Sequence, residues 1–257
     1  MSRNPNREHT FRFKQFAMSN ALSAMKIGTD GVLLGAWALR DAFPSQSDLK
    51  LLDVGSGTGL IALMLAQRFA NAQIHAVELD PVAAQEGRGN FDVSPWSSRL
   101  KMIQGDFLSY TGGSDPSDGR YDAIVSNPPY FTNGALPEDA QRLHARHQQQ
   151  LSIALLISHA AELLRSAGRL ALVLPAEQAV EAEYFGRMAG MIPAIITQVH
   201  TAAGKPPKRV LMEMQKEYAS IPAIEPVERE ILTLHDADGK PTEAYQSLVE
   251  PFYLRIH

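Results

Sequence analysis

Hydrophobic positions along the chain fall into short blocks and longer periodic stretches that alternate through its middle. The short blocks are LKLLDVG (Leu49–Gly55), QIHAVELD (Gln73–Asp80), LKMIQGDF (Leu100–Phe107), YDAIVSN (Tyr121–Asn127) and RLALVLP (Arg169–Pro175). Apolar runs of this length, bounded by Asp, Gly or Pro, predict strands buried on both faces. Between them lie LIALMLAQRFA from Leu60, a helical stretch opened by Pro81 at its first position, and LSIALLISHAAELLRSAG. The last of these is expected to end at Gly168 in a left-handed stop. AEQAVEAEYFGRMAG adds a further helix. Strands alternating with helices at this spacing predict parallel βαβ units in a doubly wound sheet.

The alternation then breaks. IPAIITQVH (Ile192–His200) and KRVLMEMQ (Lys208–Gln215) both read as strands, yet only TAAGKPP joins them. A connection so short cannot make a parallel crossover, so this pair is antiparallel. The expected fold class is therefore α/β: a doubly wound, mostly parallel seven-stranded sheet closed by an antiparallel hairpin. That arrangement is typical of class I methyltransferases, a Rossmann-like fold, and atypical of dinucleotide dehydrogenases. On the N-terminal side, GTDGVLLGAWAL reads as an apolar helix that Thr29 or Asp30 could cap. On the C-terminal side, REILTL precedes a turn at DADGK. TEAYQSLVEPFYL then reads as a helix capped by Thr242, with Pro251 in its last turn.

Composition narrows the chemistry. The chain has 257 residues, 45% hydrophobic and 20% charged, enough for one substantial core with appendages. It contains no cysteine, which excludes disulfides, Cys-ligated zinc, iron–sulfur clusters and any thiolate nucleophile. No leader segment is visible. The longest apolar run, Leu60–Ala66, is broken by Gln67 and Arg68 and is too short to span a bilayer. A soluble, cytoplasmic protein is expected. The net charge of −4 argues against a general nucleic-acid coat. Cations nonetheless gather locally: Arg3, Arg7, Arg12, Lys14 and Lys26 against Glu8, then Arg142 and Arg146, then Lys205, Lys208 and Arg209 in GKPPKRV. Such partition suits one phosphate-facing surface, and equally suits an uneven scatter of surface charge.

The first strand runs into LLDVGSGTGL, which places Gly55, Gly57 and Gly59 between a strand and a helix. Glycines there let the backbone approach a ligand, with the helix N-terminus behind it. The nicotinamide fingerprint needs a glycine where Leu60 stands. Instead the spacing is G-x-G-x-G with Asp53 ahead of it, which suits S-adenosylmethionine (SAM), a ligand with no pyrophosphate to cradle. Glu78 ends the second strand, where a carboxylate can accept both ribose hydroxyls. Asp106 ends the third, placed to accept from the adenine amino group, with Phe107 beside it to stack.

After the fourth strand comes SNPPYF. Two prolines hold Asn127 and Pro128 extended and keep their carbonyls out of any following helix. Asn127, Pro128, Pro129 and Tyr130 thus form a stiff ledge rich in acceptors beside aromatic rings, Tyr130 and Phe131. The Asn127 side-chain oxygen and the Pro128 carbonyl can each accept one N–H of an exocyclic amine, while Tyr130 stacks on its ring. The absence of cysteine independently excludes methylation at pyrimidine C5, which needs a thiolate adduct. No metal is expected. His144 and His147 lie in a basic loop with no partner carboxylates.

Together FKQF, AMKIGTDGVLLGAWA, DVGSGTGLIALMLAQR, AVELD, SPW, SNPPYF and EAYQSLVEPFYL resemble the bacterial tRNA1(Val) adenine-N6-methyltransferase family, from about Phe11 to Leu254. The glycine loop and NPPY are shared with many methyltransferases, whereas MKIGTDGVLLGAW and the C-terminal stretch are more specific. The resemblance implies SAM as methyl donor, tRNA as partner, and methylation at N6 of the adenosine 3′ of the anticodon. It implies that Lys26, Gly28 and Thr29 belong to a segment closing over the methionine part of SAM, and that GKPPKRV is a basic substrate-facing segment. Residues 1–45 are then a closing extension, 46–220 the catalytic core and 221–257 an extension packed upon it. The loop from Thr132 to Gln150 departs from the family pattern. Three alternatives stay open: N5-methylation of a glutamine, N2-methylation of guanine in ribosomal RNA, and a non-catalytic SAM-binding RNA assembly factor.

Overall fold

The computed structural model describes residues 10–23, 27–112, 120–129, 151–217 and 227–255. Its centre is the sheet that the short apolar blocks predict. In chain order the strands are β3 (Lys50–Val54), β4 (Gln73–Glu78), β5 (Leu100–Gln104), β6 (Tyr121–Ser126), β7 (Leu164–Pro175), β8 (Met191–His200), β9 (Pro207–Lys216) and β10 (Glu228–Thr233). They lie in the order β10-β8-β9-β7-β6-β3-β4-β5. Strands β5, β4, β3, β6 and β7 are mutually parallel, and β9 runs antiparallel to both β7 and β8.

The sheet has eight strands where seven were expected. REILTL supplies β10, which pairs parallel with β8 from Glu228↔Ile195 to Thr233↔His200. Only Leu232 of this edge strand is fully buried. A strand that buries one face thinly shows little of the continuous apolar run that marks the central strands.

Helices cover both faces. Neighbouring residues of one strand enter opposite cores: Leu51 joins the layer with Leu34, Leu63 and Phe91, whereas Leu52 joins that with Ile124, Leu156 and Met212. On the first face lie α1 (Thr29–Trp37), α2 (Leu60–Arg68), α3 (Pro81–Asp92) and α6 (Glu243–Val249); on the second lie α4 (Ile153–Leu163) and α5 (Ala179–Met188). Asp80 caps α3 through Val82 N, with Pro81 at the first helical position. Thr242 caps α6 as expected, and Pro251 falls just beyond its end. Two boundaries differ from expectation. Helix α4 stops at Leu163, and the left-handed residue is Ala167 (φ 60°). Gly168 is required for another reason, since a Cβ there would lie 2.9 Å from Arg165 O and 3.2 Å from Asp122 O. Helix α1 has Gly28 as its N-cap and no side-chain cap bond. Neither Thr29 nor Asp30 caps it, because Asp30 is turned toward another partner.

The N-terminal hairpin, β1 (Thr10–Arg12) with β2 (Ala17–Ser19), rests against the C-terminal end of the chain. Phe13 stacks on Phe16 and Tyr253 at 4.5 and 5.9 Å between ring centres, Lys14 N donates to Phe252 O, and Lys14 pairs with Glu250. From β2 the chain continues through Ser23 as a strap along α3.

Candidate active site

The crossovers reverse direction between β3 and β6, so the crevice beyond their carboxyl ends is where such a sheet binds ligands. The glycine loop opens there. Gly55, Gly57 and Gly59 have φ of 66°, 56° and 90°, conformations that side chains disfavour. A Cβ at Gly55 or Gly57 would meet nothing within 4 Å, so the loop backbone is open on its outer side. A Cβ at Gly59 would strike the Phe91 ring at 2.4 Å, and one at Gly87 would approach Gly57 O at 3.3 Å. Small residues therefore serve both sides of the loop: ligand access outside and close packing on α3 inside.

Two acids shape this loop. Glu78 Oε2 accepts from Gly57 N at 2.7 Å and its Oε1 accepts from Asp80 N at 2.8 Å, placing a half-buried carboxylate at the end of β4 against the glycines. Asp53 is 0% exposed. Its Oδ2 accepts from Ser56 Oγ at 2.6 Å and from Ala62 N at 3.1 Å, while Oδ1 makes no hydrogen bond among the described residues. Burial pushes its pKa up to about 7, the bonds from Ser56 and Ala62 work against that rise, and the Glu78 charge adds to it. Asp106 lies two residues beyond β5, where its Oδ1 accepts from Leu108 N at 3.0 Å and leaves the carboxylate exposed. Phe107 is a correction: at 4% exposed it packs edge-on against His159, 4.9 Å between centres, and offers no open face for stacking. It supports the Asp106 turn from beneath.

The substrate end follows from strand register. Val54 pairs with Ser126, and Ser126 Oγ donates to Val54 O at 2.8 Å, so Gly55 and Asn127 leave adjacent strands side by side. Asn127 is half-buried, Pro128 buried and Pro129 exposed. Helix α1 closes this corner: a Cβ on Gly31 would lie 3.9 Å from Asn127 Nδ2 and 3.1 Å from Leu60 Cδ2. Gly28 and Thr29 stand at the start of that helix. Lys26, Tyr130, Phe131, His144 and His147 lie outside the described residues.

The basic segment reaches the same edge. Because β9 is antiparallel to β7, its first residues sit at the carboxyl end of the parallel strands, with Arg209 opposite Pro175. Lys205 and Lys208 are exposed. Arg209 does not project with them, because its Nε donates to Asp30 Oδ2 at 2.8 Å and its Nη1 to Lys208 O at 3.0 Å. It fastens β9 to the start of α1.

Four contributors escaped sequence reading: Asp30 and Gly31 of α1, and Glu86 and Asn90 of α3. The last two are buried polar residues one helical turn apart, on the α3 face shared with Ala83, Gly87 and Phe91. Polar residues at core positions of an amphipathic helix were the available signal.

The donors present suit SAM. An open glycine loop, a carboxylate at the end of β4 and an exposed acid after β5 stand at the carboxyl ends of neighbouring strands, with buried Asp53 bracing the loop from beneath through Ser56 and no phosphate-binding lysine among the loop residues. Comparison with known proteins agrees. Residues 28–192 match the family model described as methyltransferase small domain. The chain is 42% identical to a tRNA1(Val) (adenine(37)-N6)-methyltransferase of Porphyromonas gingivalis strain W83, over 95% of this chain and 94% of the relative. It is 38% identical to the protein of that name from Tolumonas auensis, over 96% and 98%. A crystal structure of an O-methyltransferase from Agrobacterium tumefaciens, itself assigned by prediction, superposes with a TM-score of 0.62 at 17% identity, over 87% of this chain and 96% of that one. This last likeness concerns the fold alone. The chain belongs to the methyltransferase small domain family and, within it, to the bacterial tRNA1(Val) (adenine(37)-N6)-methyltransferases.

Proposed function

We propose that this enzyme transfers the methyl group of SAM to the exocyclic N6 of an adenosine in tRNA, the adenosine at position 37 of tRNA1(Val) that the relatives' names specify. One observation carries the reading: the Val54↔Ser126 register delivers Asn127 and Pro128 beside the open glycine loop. SAM, when bound, supplies a methyl group already activated on sulfonium. Glu78 holds the ribose hydroxyls, Asp106 the adenine amino group, and Gly55, Gly57, Gly59, Gly28 and Thr29 surround the methionine part, with Lys26 beside them. Asn127 Oδ1 and the Pro128 carbonyl each accept one N–H of the target amine. This turns the nitrogen lone pair out of conjugation with the ring, and Tyr130 and Phe131 stack on the base. Positioning supplies most of the rate, and the methylated nitrogen loses its proton to water without a strong base.

Lys205 and Lys208 contact tRNA phosphates, residues 1–45 close over the site, and residues 221–257 pack on the 46–220 core. No helix among the described residues is long and apolar enough to cross a membrane, and a tRNA substrate supports the reading of a cytoplasmic enzyme. Tritium transfer from labelled SAM into tRNA lacking the modification tests the reading. Label in protein would favour the glutamine alternative, and label in guanine of ribosomal RNA the second.

A further inference from the structure

After β2 the chain passes along α3 as a strap, and two side chains of α3 hold its residues Ser19–Ser23 in place. Glu86 is 7% exposed and Asn90 is 3% exposed. Glu86 Oε1 accepts from Ser19 Oγ at 2.7 Å, Ala21 N at 2.6 Å and Leu22 N at 3.2 Å; Oε2 accepts from Leu22 N at 3.2 Å and Ser23 N at 2.9 Å. Three successive backbone N–H groups wrapped around one carboxylate form an anion nest built from the chain itself. Burial works to raise the Glu86 pKa, and the bonds from Ser19, Ser23, Ala21 and Leu22 outweigh it, holding the group below the ordinary carboxylate range. Asn90 extends the fastening to the cofactor loop. Its Oδ1 accepts from Ser19 N at 2.7 Å, and its Nδ2 donates to both Ser19 O and Thr58 O at 2.9 Å. One amide thus joins the strap to the residue between Gly57 and Gly59.

We infer that Glu86 and Asn90 are positioning residues that clamp the Ser19–Ser23 strap to the glycine loop, so that the strap is pre-set for SAM before SAM arrives. The inference rests on the SAM-binding part of the function proposed above. Neither side chain needs to touch the cofactor. Ser19 is held to α3 and, through Asn90, to Thr58 of the glycine loop. Fixing Ser19–Ser23 therefore fixes this border of the cofactor loop. Without the clamp, binding would have to order the strap as well, and affinity would fall by that cost. Catalysis at saturating SAM would not, because the bound arrangement of Asn127 is unchanged.

Hydrogen exchange on SAM-free protein, together with calorimetry of SAM binding, tests this without RNA. Glu86→Gln puts an amide donor among the backbone donors. It should speed exchange at Ala21, Leu22 and Ser23 at least tenfold, leave β3 and β6 amides unchanged, and weaken SAM binding by about tenfold. The apparent KM for SAM should rise in parallel, with kcat within about twofold. Asn90→Ala should do the same and also loosen Thr58. Ser19→Ala removes one donor from Glu86 and should shift exchange and affinity in the same direction by a few-fold, even if the α3 variants fold poorly. Unchanged strap exchange, or faster exchange with unchanged SAM affinity, would overturn the inference. A wild type that binds SAM yet methylates no tRNA would count against the proposed function and leave this test intact.

Discussion

Arg209 Nε lies 2.8 Å from Asp30 Oδ2, joining the first residues of β9 to the first turn of α1. The basic hairpin and the helix beside Asn127 are therefore tied to one another by an ion pair. The three cations of GKPPKRV divide into two exposed lysines and one arginine already engaged with an acid.

Salt dependence of tRNA binding separates these roles. Each phosphate contact adds roughly −0.7 to −0.9 to the slope of log affinity against log salt. Lys205→Ala with Lys208→Ala should flatten that slope by up to about two such contacts and leave SAM affinity unchanged. Arg209→Ala should leave the slope nearly unaltered and lower stability by up to about 1 kcal/mol, since this pair is partly solvated. An equal flattening by Arg209→Ala would show that the arginine also faces RNA.

Glu78→Ala should weaken SAM binding at least tenfold by calorimetry, because the ribose contacts proposed for it would go and Gly57 N loses its acceptor. Unchanged affinity would mean that this carboxylate only braces the loop.

Much of this site was legible in the sequence, for a physical reason. Strands buried on both faces must be apolar along their whole length, so β3, β4, β6 and β7 announce themselves, and acids or glycines at their carboxyl ends stand out. Asp53, Glu78 and Asn127 were picked out that way as candidates, and the structure sets them at or beside those ends. Side chains whose partners are distant in sequence were not. Nothing near Arg209 signals that Asp30 waits across the sheet, and nothing near Glu86 signals a strap more than sixty residues upstream. Phe107 was misread because an aromatic after a strand can serve the core as readily as a ligand. Strand β10 escaped because only Leu232 of it is fully buried.

Gly31→Ala should separate activity from stability. Alanine favours a helix interior over glycine by about 1 kcal/mol, and the close neighbour, Leu60 Cδ2 at 3.1 Å, can yield by a small rotation. The new methyl reaches ordinary contact with Asn127 Nδ2 at 3.9 Å and so narrows the space beside the ledge without displacing it. Melting temperature should hold or rise while kcat for tRNA falls by a few-fold at most. A loss of tenfold or more would mean that the target amine passes between Gly31 and Asn127.

Asp53 predicts a pH dependence of stability in the absence of ligand. Burial raises its carboxyl to about 7 in the folded chain against the ordinary 3.8, so the unfolded chain gives up this proton first as pH rises. The contribution is complete below about pH 3.8 and is lost progressively as pH climbs through 7. Asp53→Asn carries no such titration and should lose less melting temperature than the wild type between pH 5 and pH 8. Parallel profiles for the two proteins would mean that Asp53 is ionised throughout.

The most direct measurement incubates unmodified tRNA1(Val) and methyl-labelled SAM with the wild type and with Asn127→Ala, then digests the RNA and identifies the labelled nucleoside. The wild type should place the label in N6-methyladenosine at position 37. Asn127→Ala should bind SAM normally and transfer at least about 100-fold more slowly, having lost one acceptor aimed at the amine. Label in any other nucleoside, or transfer by Asn127→Ala at the wild-type rate, would contradict the account.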